Sequence, residues 1–180
     1  MTVPRLLLRR LGAPGDLGWV VMAHGEQYPA EFGWDAGFEA LVAKIVADYA
    51  GAHDPAREAA WIAEIEGKRV GCIFCVAADQ SVAKLRLLLV SPEGRGHGVG
   101  GHLVDQCIRF AAAAGYQRMR LWTNDVLVAA RQLYLSRGFT LVAEDRHHSF
   151  GADLVGQIYE LDVVAGAATH DPARPTSRHD

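Results

Sequence analysis

The sequence predicts an α/β (α+β) fold, in which a mixed central sheet of about seven strands carries about four helices on its two faces. Three observations predict it. Strand-like and helix-like segments follow one another in the order β-α-α-β-β-β-α-β-α-β-β. Three consecutive strand segments are joined by short polar turns, which is typical of an antiparallel meander. The length of 180 residues suits one domain with a full core and is short for two.

The first third of the chain predicts one strand and two helices. Residues 5–11 form the strand, and Asp16 is a candidate N-cap for a helix over residues 17–24. Residues 25–34 mix glycine, proline, aromatic and acidic residues, and we interpret them as an irregular, pocket-forming connection. Asp35 then caps a longer helix with apolar side chains at helical spacing. These side chains are Phe38, Leu41, Val42, Ile45, Val46 and Tyr49.

The remaining elements are the meander and then alternating helices and strands. The meander has strands at residues 59–65, 69–77 and 82–90, with a hairpin turn at Glu66-Gly67-Lys68. After the meander come a helix over 98–114 closed by Gly115, a strand over 118–123 and a helix over 127–137. They are followed by a strand over 139–144, a loop containing His147-His148-Ser149-Phe150-Gly151 and a strand over 155–163. We expect one domain over residues 1–164 and a disordered tail over residues 165–180, because the tail has nothing to bury.

Composition excludes several classes of function. The net charge of −3 argues against a nucleic-acid-binding protein, which would carry a basic excess. No segment approaches the ~20 apolar residues needed to span a bilayer, and the N-terminal apolar run is too short for a signal peptide. We therefore expect a cytoplasmic protein without a membrane or nucleic-acid partner.

Cys72 and Cys75 form a C-x-x-C pair, which could indicate zinc or redox chemistry. The pair lies in a strand segment, where residues three apart point to opposite faces. No second pair of cysteines or histidines completes a tetrahedral metal site. We therefore predict buried thiols and no metal.

The glycine-rich stretch after residue 90 predicts an anion site. The apolar strand ends in Leu88-Leu89-Val90, and Arg95-Gly96-His97-Gly98-Val99-Gly100-Gly101 leads into a helix. A helix N-terminus offers backbone N–H groups without intrahelical partners and a partial positive charge. Glycines let an anion approach those groups, and Arg95 adds a formal charge. This stretch is suited to a phosphate-bearing ligand.

Three motifs in this order resemble the GNAT family of acyl-CoA N-acyltransferases. Arg95-Gly96-His97-Gly98-Val99-Gly100 fits the R/Q-x-x-G-x-G/A pyrophosphate loop of that family. Leu121-Trp122-Thr123-Asn124 is a strand that ends at an asparagine, and Ala130-Arg131-Gln132-Leu133-Tyr134-Leu135-Ser136-Arg137-Gly138-Phe139 matches A-x-x-L-Y-x-x-x-G-F. The resemblance covers residues 4–163 and implies a mostly antiparallel sheet.

A narrower resemblance is to the acetyltransferase half of bacterial proteins that fuse a MarR-type winged-helix regulator to a GNAT domain. Gly15-Asp16-Leu17-Gly18-Trp19-Val20-Val21, the strand from Ala83 to Val90 and His147-His148-Ser149-Phe150-Gly151 carry it. The regulator domain is not found in these 180 residues, so we expect no DNA-binding role.

The family resemblance implies acetyl-CoA as the cofactor and assigns residues to it. Backbone groups of Leu88, Leu89 and Val90 would bind the pantetheine, and the loop from Arg95 to Gly101 would bind the pyrophosphate. Tyr134 would protonate the departing thiolate as a general acid. Asn124 would hold the pantetheine or orient the acceptor.

The general base and the acceptor stay open at the sequence level. Lys84 and Arg86 lie where histone-type members carry a glutamate. Glu31, Glu39, His24 or His147 could act as the base directly or through water, or the amine could arrive neutral. Acceptor contacts are expected from the first two helices and their connection, including Trp19, His24, Tyr28, Glu31, Trp34 and Phe38. Glu31 or Glu39 could pair with the ammonium of the acceptor, or Arg86 could bind a substrate carboxylate.

The resemblance therefore predicts an acetyl-CoA-dependent N-acetyltransferase that acts on the amine of a small molecule by direct attack, and allows a homodimer. A non-catalytic acyl-CoA sensor and a protein N-acetyltransferase are the alternatives.

Overall fold

The structure, a computed structural model, describes residues 5–163. The predicted tail over residues 165–180 and the predicted domain end at residue 164 lie outside the described residues. Within residues 5–163 one seven-stranded sheet and four α-helices follow the predicted order. The elements are β1 (Leu6–Arg10), α1 (Asp16–Phe32), α2 (Ala36–Ala52), β2 (Ala59–Ile65), β3 (Lys68–Ala77), β4 (Val82–Val90), a 3₁₀ turn (Pro92–Gly94), α3 (Val99–Ala113), β5 (Arg118–Asn124), α4 (Val128–Ser136), β6 (Thr140–Ser149) and β7 (Ala152–Asp162).

The strand order is β1-β2-β3-β4-β5-β7-β6, and every neighbouring pair is antiparallel except β4 and β5. These two strands run parallel and pair only from Val82 opposite Arg118 to Lys84 opposite Arg120. Beyond that point β4 and β5 diverge. The predicted mixed, mostly antiparallel sheet and its meander are confirmed.

A bulge in β4 accompanies this divergence. Arg86 lies opposite Phe74 and Leu89 lies opposite Cys72, so Leu87 and Leu88 together face one residue of β3. Leu87 has a φ of 52°, an uncommon backbone conformation for leucine. A bulge bends the strand that carries it, which turns the end of β4 away from β5.

The core has one layer on each face of the sheet. Leu103 of α3 and Leu121 of β5 lie in the layer under α3 and α4, whereas Val20 of α1 and Val42 of α2 lie in the layer under α1 and α2. Cys75 belongs to the first layer and Cys72 to the second, which confirms that the two thiols are buried on opposite faces. Burial raises the pKa of the Cys72 thiol.

The start of α1 differs from the prediction. Gly15, in the left-handed conformation, occupies the N-cap position instead of Asp16. The Asp16 carboxylate is fully buried and accepts hydrogen bonds from Arg9 and Arg69 at 2.7–2.9 Å. These guanidinium groups hold the pKa of Asp16 well below its ordinary value. Asp16 therefore joins β1, α1 and β3 rather than capping a helix.

The irregular connection predicted over residues 25–34 was wrong, because α1 continues to Phe32 and contains Pro29. Its apolar face extends through Tyr28 and Phe32, whose ring centroids are 5.6 Å apart. Gly25 permits close helix packing rather than a break, since a Cβ there would lie 2.6 Å from Cδ of Glu39 on α2.

The loop predicted around His147 was also wrong. His147, His148 and Ser149 lie in β6, which pairs with β7 up to Ser149 opposite Ala152. The turn is limited to Phe150-Gly151, whose φ values are 57° and 75°. Most of β6 is exposed. Its sequence therefore lacks the alternation of apolar and polar residues that would indicate a half-buried strand.

Candidate active site

Two adjoining cavities open where β4 and β5 diverge. The first, of about 590 Å³, is the loop cavity and is lined by the Gly94–Gly101 segment, the end of β4 and the start of α4. The second, of about 430 Å³, is the aromatic cavity and is lined by aromatic side chains from both sides of the divergence. These aromatic residues are Tyr28, Trp34, Phe38, Trp122 and Tyr134. The two cavities share Tyr28, Leu88, Leu127 and Ala130 in their walls.

The wall of the loop cavity is rich in backbone donors. The first intrahelical bond at the start of α3 runs from His102 N to Gly98 O, at 3.1 Å. The N–H groups of Val99, Gly100 and Gly101 therefore precede the helical ladder and have no intrahelical acceptor. Gly98 has a φ of 69°, a conformation that an L-residue adopts at a cost.

The start of α3 also packs closely on its surroundings. A Cβ at Gly100 would lie 3.1 Å from Cδ2 of Leu133 on α4 and 3.5 Å from Cγ2 of Val90. Gly96 lines the loop cavity, whereas His97 does not. The exposed His97 ring bonds through Nδ1 to Arg95 O at 3.0 Å.

Two side chains of α1 reach the loop cavity. Glu31 forms an ion pair with Arg95, and Gln27 Nε2 donates to Val90 O at 3.1 Å. Sequence reasoning placed Glu31 in the acceptor pocket, but it lines the loop cavity. The cause is the continued α1 helix, which carries residues 27 and 31 along the same face toward the loop.

The aromatic cavity has a packed aromatic wall. Tyr28 lies 4.4 Å from Phe38 and 5.3 Å from Trp34 between ring centroids. Trp122 of β5 stands across the cavity and is 50% exposed. This wall is suited to an apolar group.

His24 lies in the same cavity as a neutral side chain. Its Nδ1 is 2.7 Å from Val20 O, so Nδ1 carries the proton because a carbonyl oxygen only accepts. Its buried Nε2 has no hydrogen-bond partner among residues 5–163. Burial lowers the pKa of His24 from 6.5 to about 4. His24 is therefore an uncharged acceptor at neutral pH.

Tyr134 reaches the divergence from α4. Its side chain belongs to the core under α3 and α4 and also lines the aromatic cavity. Burial raises the pKa of the Tyr134 phenol, which keeps it protonated. Its hydroxyl makes no hydrogen bond to any side chain or backbone group in the described part of the chain.

Asn124 ends β5 at the other side of the cavity. Its Oδ1 lies 2.9 Å from His147 Nε2, and His147 Nδ1 lies 2.9 Å from Ser149 Oγ. The chain of bonds is satisfied when Ser149 Oγ–H donates to His147 and His147 Nε2–H donates to Asn124. The Asn124 amide N–H groups then remain available to the cavity.

Residues 20–139 match the sequence model of the acetyltransferase (GNAT) family. The chain belongs to the GNAT family.

Known proteins similar to this GNAT chain include a human one, N-acetyltransferase 8B, at 33% identity over 49% of this chain and 41% of its own length. An uncharacterized N-acetyltransferase from Schizosaccharomyces pombe is 31% identical over 63% of this chain and 71% of its own. The chain spans 59%, 41% and 39% of the length of three curated relatives that it matches.

Solved structures show the same fold. The structure of yncA from Salmonella typhimurium, described as a putative acetyltransferase with its cofactor acetyl-CoA, has a TM-score of 0.73 at 19% identity. The alignment covers 91% of this chain and 96% of that one.

Within this GNAT fold the structure brings most of the predicted site residues together. Leu88, Leu89, Val90, Arg95 and the glycines surround the loop cavity, and His24, Tyr28, Trp34, Arg86, Asn124 and Tyr134 surround the aromatic cavity. Glu39 lies against Gly25 on α1 and lines neither cavity. Trp19 packs against the core under α1 and α2.

Sequence reasoning missed Gln27, Trp122 and Ser149 as site residues of this GNAT chain. Gln27 could have been found from its position four residues before Glu31 once the helix was extended. Ser149 had no signal, because its role depends on the β6–β7 pairing that brings His147 to Asn124. No helix within residues 5–163 is long and apolar enough to cross a membrane, and that range holds no cluster of three or more metal-ligating side chains.

Proposed function

We propose that this protein binds acetyl-CoA in the loop cavity and transfers its acetyl group to the amine of a small molecule held in the aromatic cavity. The observation that carries the proposal is the junction of the two cavities at the divergence of β4 and β5, where they share four residues. A ligand in one cavity therefore lies next to a ligand in the other, which direct transfer in a ternary complex requires.

The loop cavity fits a nucleotide-bearing thioester. The N–H groups at the start of α3 and the Arg95 guanidinium provide donors and positive charge for phosphate oxygens. The β4 edge that faces β5 has no strand partner beyond Lys84 among the described residues, so its backbone groups are open to an extended chain, apart from Val90 O, which accepts from Gln27 Nε2. Leu88, Leu89 and Val90 would bind the pantetheine there.

Acetyl-CoA supplies an acetyl group activated as a thioester. The protein positions the amine against that group and excludes water with the aromatic wall. Backbone N–H groups at the β4 bulge stabilise the negative charge that develops on the thioester carbonyl oxygen in the gap between β4 and β5. The amine nitrogen bonds to the acetyl carbon as the bond from that carbon to sulfur breaks. Tyr134 donates its hydroxyl proton to the leaving sulfur and is reprotonated by the proton that the amine nitrogen releases as the amide forms.

Asn124 orients one of the two ligands through its free amide N–H groups, because His147 occupies its carbonyl oxygen. In this arrangement His147 is committed to the bond with Asn124 and is unsuited to act as a base. The low pKa of His24 makes it a weak base. We therefore propose that the amine is bound in its neutral form.

Calorimetric titration with acetyl-CoA tests the first step of this proposal. We expect saturable binding, and no binding at millimolar acetyl-CoA would overturn the proposal. Release of the coenzyme A thiol over a panel of amines, followed with a thiol reagent, then tests the transfer.

A non-catalytic acyl-CoA sensor is the second candidate, favoured by the lack of a carboxylate from residues 5–163 in the wall of the aromatic cavity. Tight acetyl-CoA binding without turnover of any amine would favour this sensor. Labelling of proteins in a lysate by mass spectrometry would instead favour a protein N-acetyltransferase. The cytoplasmic location and the homodimer stay predictions.

A further inference from the structure

We propose that the amine acceptor also carries a carboxylate, which pairs with the Arg86 guanidinium, so that the acceptor is an amino acid with an apolar side chain. This inference rests on the proposed function and names the substrate class of the aromatic cavity.

Arg86 is a partly buried cation in the wall of the aromatic cavity. It lies on β4 two residues beyond the last residue paired with β5. None of residues 5–163 forms an ion pair or a hydrogen bond with its side chain. Burial lowers the pKa of Arg86, and the Asp48 carboxylate of α2 raises it from a distance, but that carboxylate is bonded to Lys44 Nζ at 2.9 Å. A partly buried guanidinium without a hydrogen-bond partner is unfavourable. A substrate carboxylate that accepts two hydrogen bonds from Arg86 would remove this cost.

The charge of the whole cavity points in the same direction. Among the described residues its wall contains three basic ones, Lys84, Arg86 and Arg120, and no aspartate or glutamate. Arg120 is neutralised by Glu160, whose Oε1 lies 2.7 Å from Arg120 Nε. Lys84 is exposed at the same strand face. The remaining positive charge repels a simple ammonium or a polyamine and attracts an anion.

The acidic residues that could have paired with the ammonium group of the acceptor do not line the aromatic cavity. Glu31 lines the loop cavity and pairs with Arg95, and Glu39 packs against Gly25 between α1 and α2. The structure therefore separates two options that the sequence left open, an acidic contact to an amine and an Arg86 contact to a carboxylate. The second option is the one with its side chain in the aromatic cavity.

The rest of the wall selects the side chain of the acceptor. Trp34, Phe38 and Trp122 offer aromatic surface, and Leu41 and Ile45 extend it with aliphatic surface. A volume of about 430 Å³ suits a single amino acid rather than a long peptide. A peptide N-terminus would also lack a carboxylate next to its amine.

The test compares three amino acids with the amines that lack their carboxylate. The pairs are L-phenylalanine and phenethylamine, L-tryptophan and tryptamine, and L-leucine and isopentylamine. We expect at least one amino acid to exceed its paired amine in kcat/KM by about tenfold or more, because a charged hydrogen bond contributes to its binding. Equal or higher kcat/KM for the amine in every pair would overturn the inference.

Arg86→Gln then assigns the preference to one side chain. We expect this variant to raise KM for the preferred amino acid about tenfold while KM for acetyl-CoA and kcat/KM for the amine stay within about twofold. Arg86→Lys should restore part of the affinity, because it keeps the charge without the planar fork. Arg109→Gln is the matched control, since Arg109 is exposed on α3 and bonds to Gln106 alone among the described residues. An equal loss for amino acid and amine in Arg86→Gln would contradict the inference.

A binding measurement separates this inference from the proposed function. If acetyl-CoA binds but no amine or amino acid is acetylated, transfer is refuted, while calorimetry with the three amino acids on the acetyl-CoA complex still measures the Arg86 site. Binding of any of them to the parent and its loss in Arg86→Gln would support the site. No binding of any of the three to the parent would refute it.

Discussion

The loop cavity and the aromatic cavity adjoin at the same strand divergence, but they are built in different ways. Half of the residues that line the loop cavity come from one stretch, Leu88 to Gly101, where the proposed binding groups are largely backbone N–H and C=O. The aromatic cavity is formed by side chains from α1, α2, β4, β5, α4 and β7. One cavity depends on backbone conformation, and the other depends on which side chains the fold brings together.

This difference has a consequence for specificity. Backbone groups are the same whatever the side chains, so the loop cavity constrains its sequence only where a side chain would block the approach. Side chains in the aromatic cavity can change without altering the sheet, so under the proposed function the acceptor can change while the proposed phosphate-binding loop is kept. The two cavities should therefore respond differently to substitution.

The largest expected effect is in the wall of the aromatic cavity, at Tyr134. Tyr134→Phe should lower kcat by about 100-fold or more, because it removes the proposed general acid while its ring still packs beside Phe139, at 5.8 Å between centroids. The Kd for acetyl-CoA should change by less than about twofold, since the loop cavity is untouched. Steady-state kinetics and calorimetry measure the two quantities.

Tyr116→Phe is the matched control for this variant. Tyr116 is also buried, but its hydroxyl donates to Arg57 O at 2.9 Å, away from both cavities. Loss of this hydrogen bond in Tyr116→Phe should lower the unfolding free energy by ~1 kcal/mol and leave kcat unchanged. A kcat for Tyr134→Phe within twofold of the parent would remove Tyr134 from the acid role.

The same contrast explains how much the sequence could predict. The glycines, Arg95 and the preceding apolar strand are contiguous, so their pattern alone predicts an anion site at the start of α3. The β4 strand was predicted with its observed bounds because its apolar run ends at clear turn residues. The order of the elements was predicted from hydrophobic periodicity, which is also a local property of the sequence.

Features that depend on tertiary contacts could not be predicted in this way. Gly25 and Pro29 suggested a break in α1, but packing of α1 on α2 keeps the helix intact. The position of Glu31 was wrong because it followed from that break. The bond between His147 and Asn124 required the pairing of an exposed edge strand, for which the polar sequence gave no periodic signal.

A different effect, on stability rather than on turnover, is expected from the buried imidazole of the aromatic cavity. His24 has a pKa of about 4 in the folded protein and an ordinary value of 6.5 when unfolded. Between these values the unfolded chain binds a proton that the folded protein does not, so stability falls as pH decreases from 6.5 to 4. The total loss is about 3 kcal/mol, at ~1.4 kcal/mol per pH unit or less.

Urea denaturation at pH values from about 7.5 down to about 4.5 measures this dependence. His24→Phe removes the titrating group, and its unfolding free energy should vary less over the same range, whatever its value at neutral pH. Asp16 does not interfere, because its lowered pKa makes its contribution decline only below its ordinary value of 3.8. An identical pH dependence in parent and variant would show that His24 is not the neutral buried group described.

The smallest effect compares two glycines at opposite ends of α3. Gly98 and Gly115 have φ values of 69° and 83°, so alanine is strained at both and should cost ~1 kcal/mol of unfolding free energy in each case. Only Gly98 lines the loop cavity, and Gly98→Ala adds a methyl group beside the proposed pyrophosphate. Its Kd for acetyl-CoA should rise about tenfold, equivalent to ~1.4 kcal/mol, while Gly115→Ala binds as the parent does. Because the two variants carry the same backbone strain, equal affinities would show that the loop binds through its side chains, and the contrast between the two cavities would no longer hold.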